Sequence, residues 1–172
     1  FCVFNDLAYT ALMLINNKIV KKILIFDCDV HQGDGTARIL EKNDNIFTCS
    51  IHCKKNFPLN KAQSNLDIEL EDHTNNNEYL NEIQKTIKFC VNSFKPDFVL
   101  YDAGIDIHKD DELGKLNIDD DSCLERDLLV LNFLKKLSIP VATVIGGGYS
   151  KNKQELALRH SFVFHAAHQV FG

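Results

Sequence analysis

Two apolar periods alternate along the chain and divide it into strands and helices. Leu7, Ala8, Ala11, Leu12, Ile15 and Ile19 recur on one helical face, and Asn5 or Asp6 stands where it can cap a helix reaching about residue 19. The run "KKILIFDCD" at 21–29 reads as a buried strand. A glycine break, a short helical segment at 36–40 and a second strand, "IFTCSIH" at 46–52, follow. Residues 53–77 carry Pro58 and many asparagines, which predicts a long surface excursion with a short strand at "LDIEL". Leu80, Ile83, Ile87, Cys90, Val91 and Phe94 keep helical spacing over 78–94, and "PDFVLYDAG" is then a buried strand. A helix over 122–137, the strand "PVATVIGGG" and a single last helix over 154–171 complete the pattern. Strands that alternate with helices predict an α/β fold, a parallel sheet covered by helices on both faces.

Composition narrows the class. With 172 residues and 45% hydrophobic content the chain can bury one core, and no internal repeat or linker divides it. A net charge of -5 without a long basic block gives no nucleic-acid footprint, while an acidic rim favours a cationic substrate. The absence of a long apolar run or a signal-peptide pattern leads us to expect a soluble intracellular protein with no membrane partner. The six cysteines form no C-x-x-C pair, and Cys28, Cys49 and Cys90 lie inside apolar runs, as reduced buried thiols do. "CSIHC" at 49–53 offers three ligands and no second cluster, too few for a closed zinc knuckle. The chain starts on Phe1, which reads as a piece cut from a longer protein.

The candidate chemistry sits in "ILIFDCDVHQGDG" at 23–35. Asp27, Asp29 and His31 fall on alternate positions at the end of a buried strand and so share one side. Buried carboxylates are costly unless paired or bound to a metal. Ligands in open parallel sheets gather beyond the carboxyl ends of the strands, where "DAGID" can bring Asp106 to the same place. Two carboxylates and an imidazole make an open metal site, and this donor set suits Zn, Fe(II), Co or Mn alike. D-x-D alone is common at caps and turns; His31 and the following G-D-G add to it. A haloacid-dehalogenase phosphatase would carry Thr where His31 stands, and a binuclear manganese site of the arginase kind needs more carboxylates than "DAGID" supplies. His52 reads as a core residue, His108 as an exposed loop residue, and His165 with His168 as a surface face.

Taken in order, "FCVFND", "DCDVHQGDG", "DAGID…DELG" and "GGGY" resemble the zinc-dependent histone deacetylase family, with its acetoin-utilisation and acetylpolyamine amidohydrolase relatives. The HQG at 31–33, against the usual HHG, is similar to the class IV branch and some bacterial members. The resemblance implies an arginase/deacetylase-like three-layer fold, mainly parallel, with its N-terminal part missing, so that 1–172 is a partial catalytic domain. It implies Asp29, His31 and Asp106 as zinc ligands, and Asp27 and Asp34 as carboxylates that orient a pair of histidines. Tyr149 becomes the hydroxyl that polarises the substrate carbonyl, Gly147 and Gly148 allow close backbone approach, and Phe1 and Phe57 wall a narrow tunnel. Carbonyls of Asp27, Asp29, His31 and Ile51, with Ser50, would hold a structural potassium ion, which makes His52 a potassium-loop residue as the alternative to a core one.

The implied reaction is zinc-assisted hydrolysis of an acyl amide, on acyl-lysine of histones or other proteins or on an acetylated amine, and the compartment is cytoplasmic, or nuclear in a eukaryote. The general base expected for the family belongs to a His-His pair ahead of the "FC" motif, and no histidine precedes His31. The chain alone is therefore expected to be inactive or nearly so. A non-catalytic acyl-lysine-binding remnant and a dehalogenase-type phosphatase are the alternatives.

Overall fold

The computed structural model describes residues 3–172, so Phe1, expected as a tunnel wall, lies outside the described residues. Five parallel strands form one sheet in the order β3-β2-β1-β4-β5. They are β1 (Ile23–Asp27), β2 (Ile46–Cys53), β3 (Leu66–Leu70), β4 (Phe98–Asp102) and β5 (Val141–Val144). All five coincide with the predicted runs. β1 is central and buried along its whole length, as a strand covered on both faces must be.

Alternation along β1 sends Leu24 and Phe26 to one face and Ile23 and Ile25 to the other, and each pair seeds its own core. The first face packs against α3 (Asn76–Phe94), α4 (Asp120–Lys136) and α6 (Phe162–Phe171). The second packs against α1 (Asp6–Asn16) and α2 (Asp34–Leu40). Burying one such Phe or Ile side chain contributes about 1.5–3 kcal/mol relative to leaving it exposed. The layers are thus helix, sheet, helix.

The helix ends differ from the expected ones for local reasons. Asn5 caps α1 by accepting the Ala8 N–H, but the helix stops at Asn16, because Lys18 adopts a positive φ of 57° and turns Ile19 out to solvent. Asp119 caps α4, which starts it two residues before the expected 122. α3 opens on a capping box between Asn75 and Glu78. The single helix expected over 154–171 is two, α5 (Lys153–His160) and α6, with Ser161 between them; its hydroxyl bonds back to the Leu158 carbonyl and competes with the helical ladder.

Candidate active site

From β1 the chain leads to β2 and β3 on one side, whereas β4 and β5 pair on the other, so the order reverses between β1 and β4. Such a switch point leaves a crevice beyond the strand ends. A cleft of about 840 Å³ opens there, lined by Asp27, Asp29, His31, Asp34, Asp102 and Tyr149 among others.

Three of the predicted residues meet at its floor. One donor atom from each of Asp29, His31 and Asp106 falls within 4.8 Å of the others. His31 Nδ1 lies 3.0 Å from Asp29 Oδ1 and 3.1 Å from Asp106 Oδ2. Backbone amides hold the carboxylates in place: Val30 N–H donates to Asp106 Oδ1 at 2.8 Å and Gly147 N–H to Asp29 Oδ2 at 2.8 Å. Burial disfavours a charged His31, but its hydrogen bonds to Asp106 and Asp29 and their negative charge outweigh this and raise it to about 9. Burial and then the charge of Asp29 push Asp106 up to about 7, with His31 pulling the other way. Burial also acts to raise Asp29, yet the bonds from His31 leave it lowered.

These residues fit a divalent metal ion. Two carboxylates and an imidazole nitrogen converge, with His31 Nδ1 within 3.0–3.1 Å of one oxygen of each carboxylate, as the donors of one cation do. Gly147 keeps the space clear: a Cβ there would lie 2.2 Å from Asp106 Oδ2 and 2.4 Å from Asp29 Oδ2.

The other predicted residues are distributed around this floor. Asp27 is buried beside the triad, accepts the Asp29 N–H at 3.0 Å, and is raised well above the usual carboxylate range by burial and then by the charges of Asp102 and Asp29. Asp34 opens α2 at the cleft and pairs with Arg38 at 3.5 Å. The Tyr149 ring stands edge-on to the His31 imidazole, 6.1 Å between centroids, and its N–H donates to Asp111 Oδ2. Phe57 lies on the cleft wall, 68% exposed. Gly148 backs onto Ile105 and His160 rather than onto the triad. Ser50 pairs in register with Asp27 and its Oγ lies 3.0 Å from His52 Nδ1, while Ile51 is fully buried.

His52 is a core residue, and His165 and His168 are exposed, as expected. His108 is not. It lies in the connection between β4 and α4, as expected, but is 2% exposed, with Nε2 3.0 Å from Asp120 Oδ1 and Nδ1 accepting the Asp110 N–H; the expected exposure failed because Arg159 and Asp120 close over it from two helices.

Three residues at the site were not foreseen. Asp102 ends β4 as Asp27 ends β1, in register with it, and burial followed by the charges of Asp29 and Asp106 raises it well above the usual range. A carboxylate closing a buried run was its signal in the sequence. Arg126 is fully buried and donates to the carbonyls of Ala103 and Gly104, two residues short of Asp106, while Asp127 takes its Nε–H and the Tyr101 hydroxyl. A charge on the inward stripe of α4, between Cys123 and Val130, was the sign. Gln32 bonds to the segment that carries Phe57, and nothing in its spacing announced it.

A model of the histone deacetylase domain matches residues 1–163. An uncharacterized protein of Picosynechococcus sp. is 42% identical over 171 residues, which is 99% of this chain and 57% of that protein. The acetoin utilization protein AcuC of Staphylococcus aureus is 31% identical over 86% of this chain and 41% of its own. An acetylpolyamine aminohydrolase from Burkholderia pseudomallei superposes with a TM-score of 0.81 at 18% identity, over 96% of this chain and 49% of that one, and supports the fold. The chain spans about half the length of the relatives it matches. These matches set the dehalogenase reading aside, and with an all-parallel sheet and the four motifs in order, the chain belongs to the histone deacetylase domain family.

Proposed function

We propose that the cleft serves hydrolysis of an acyl amide, with acyl-lysine on histones or other proteins as the first substrate class, and that residues 1–172 are part of a deacetylase-type catalytic domain. The supporting observation is the meeting of Asp29, His31 and Asp106 within 4.8 Å below Tyr149. Those three residues would hold zinc. When bound there, zinc supplies Lewis acidity toward the amide carbonyl and a water molecule.

Tyr149, Phe57 and the two carboxylates Asp27 and Asp34 each take a part in this reading. Tyr149 donates its hydroxyl proton in a hydrogen bond to the oxyanion that forms as the carbonyl is attacked. Phe57 lies along the aliphatic stem of the acylated amine, and its exposure leaves the ring free to cover such a stem. Asp27 and Asp34 orient an imidazole that accepts the proton of the attacking water and passes it to the leaving amine. Carbonyls of Asp27, Asp29, His31 and Ile51 with Ser50 form the proposed potassium site.

Among the described residues no histidine contacts Asp27 or Asp34. A second reading is a module that binds acyl-lysine without turning it over, since the cleft and the triad would serve binding alone. Both are tested on the zinc-loaded 172-residue chain with an acetyl-lysine peptide, with and without free imidazole in the buffer. The expected result is peptide binding, slow release of acetate, and acceleration by imidazole. Binding without turnover at any imidazole concentration selects the second reading. Failure to bind both zinc and peptide overturns the two together.

A further inference from the structure

Gln32, directly after His31, is 4% exposed and uses both ends of its carboxamide. Its Oε1 accepts the Ala62 N–H at 2.7 Å, and its Nε2 donates to the Ala62 carbonyl at 2.9 Å and to Asp67 Oδ1 at 2.8 Å. The second Asp67 oxygen accepts the Ser64 N–H. Residues 54–64 run from the end of β2 toward β3, and Lys55, Asn56 and Phe57 from this stretch line the cleft. Apolar burial holds this wall at Pro58, which is buried, but not at Phe57, 68% exposed, or Leu59, 91% exposed. Its polar anchors are unevenly placed. The near end is held by the Lys54 N–H donating to the Leu70 carbonyl at 2.8 Å, by Lys115 Nζ donating to the Lys55 carbonyl at 3.1 Å, by Lys55 pairing with Asp72 and by Asn56 Nδ2 donating to the Leu113 carbonyl at 2.7 Å, Lys61 Nζ closes the stretch on itself through the Asn56 and Pro58 carbonyls, and Gln32 holds the far end at Ala62.

We propose that Gln32 is a positioning residue that fastens the far end of the Phe57 wall to the metal-ligand segment, so that the wall's distance from His31, and with it the grip on a bound acyl-amine stem, is set in part by this carboxamide. The substrate part of this inference rests on the acyl-amide reading; the latch does not. A carboxamide can accept from and donate to the backbone of the same residue, Ala62, while also donating to Asp67. Glutamate keeps the length but turns the second contact into repulsion with the Ala62 carbonyl and Asp67. Methionine keeps the shape and makes none of the bonds.

The test uses the full 172-residue chain loaded with zinc, as wild type, Gln32→Glu and Gln32→Met. Three quantities are read: hydrogen exchange of the amides of residues 57–63, zinc affinity by chelator competition, and anisotropy binding of a labelled acetyl-lysine peptide. Losing two or three hydrogen bonds should speed exchange across 57–63 by about tenfold or more, because exchange there reports local opening. Zinc affinity should stay near wild type, and peptide binding should weaken in step with the exchange. A purely structural role would leave peptide affinity unmoved at full zinc loading. Unchanged exchange overturns the latch. Faster exchange with unchanged peptide affinity overturns the positioning role, as does loss of zinc in both variants, which would assign Gln32 to the metal segment. If the wild-type chain binds no peptide, the acyl-amide reading fails, and the exchange data still decide the latch.

Discussion

Replacing Gly147 by alanine should remove metal binding while leaving the fold standing. The new Cβ would lie 2.2 Å from Asp106 Oδ2, 2.4 Å from Asp29 Oδ2 and 3.0 Å from Asp106 Cγ. Moving the nearer oxygen out to a contact of about 3.0 Å requires a displacement of about 0.8 Å, against a tolerance of about 0.2 Å for metal–ligand distances. Two of the three ligands are pushed at once, and the Gly147 N–H that fixes Asp29 moves with the backbone. Zinc affinity should fall at least about a hundredfold, which is about 2.7 kcal/mol of binding free energy. Competition against a chromophoric chelator reads this directly. Gly148→Ala is the control, because its Cβ would meet Ile105 and His160 instead of the triad. That variant should lose about 1–3 kcal/mol of stability to overpacking and keep its zinc. Wild-type zinc affinity in Gly147→Ala, or an equal loss in both variants, would refute the assignment of Gly147 as the residue that keeps the metal space open.

Tyr149→Phe should retain zinc and lower acetyl-lysine hydrolysis by about a hundredfold or more, as removing an oxyanion donor does; an unchanged rate ends that role. His31 stands at about 9 in the folded chain against an ordinary 6.5, so its contribution to stability is complete below 6.5 and is lost as pH rises through about 9. Asp106, raised to about 7, acts in the same direction at lower pH. The urea midpoint of the metal-free chain should therefore fall between about pH 6 and about pH 9, and zinc, which competes with the His31 proton, should bind more tightly over that interval; a rising midpoint contradicts the ion cluster. Arg126→Met leaves the buried Asp127 carboxylate with the Tyr101 hydroxyl but without its counter-charge and should cost about 3–5 kcal/mol in urea unfolding, part of it restored by adding Asp127→Asn. A loss near zero would mean that the pair does not support the Ala103–Gly104 turn.

What the amino-acid sequence determined by itself is local in origin. Apolar period marked the five strands and the helices up to α4, and ran α5 and α6 together as one, because one face or one stripe of each element must be buried, and the run of polar residues at the end of the "ILIFD" strand exposed the ligand segment for the same reason. Asp29 and His31 were legible together since they stand two positions apart on one extended stretch, and Asp106 through the "DAGID" motif. Tertiary structure alone decided that the order of strands reverses between β1 and β4, which brings residues 75 positions apart into contact around His31 Nδ1. It also decided the break at Ser161, the burial of His108 under Asp120 and Arg159, and the two-sided hold of Gln32 on Ala62. Each of these depends on partners far along the chain, and a hydrogen bond or ion pair between distant residues imposes no period on the sequence for a local reading to find.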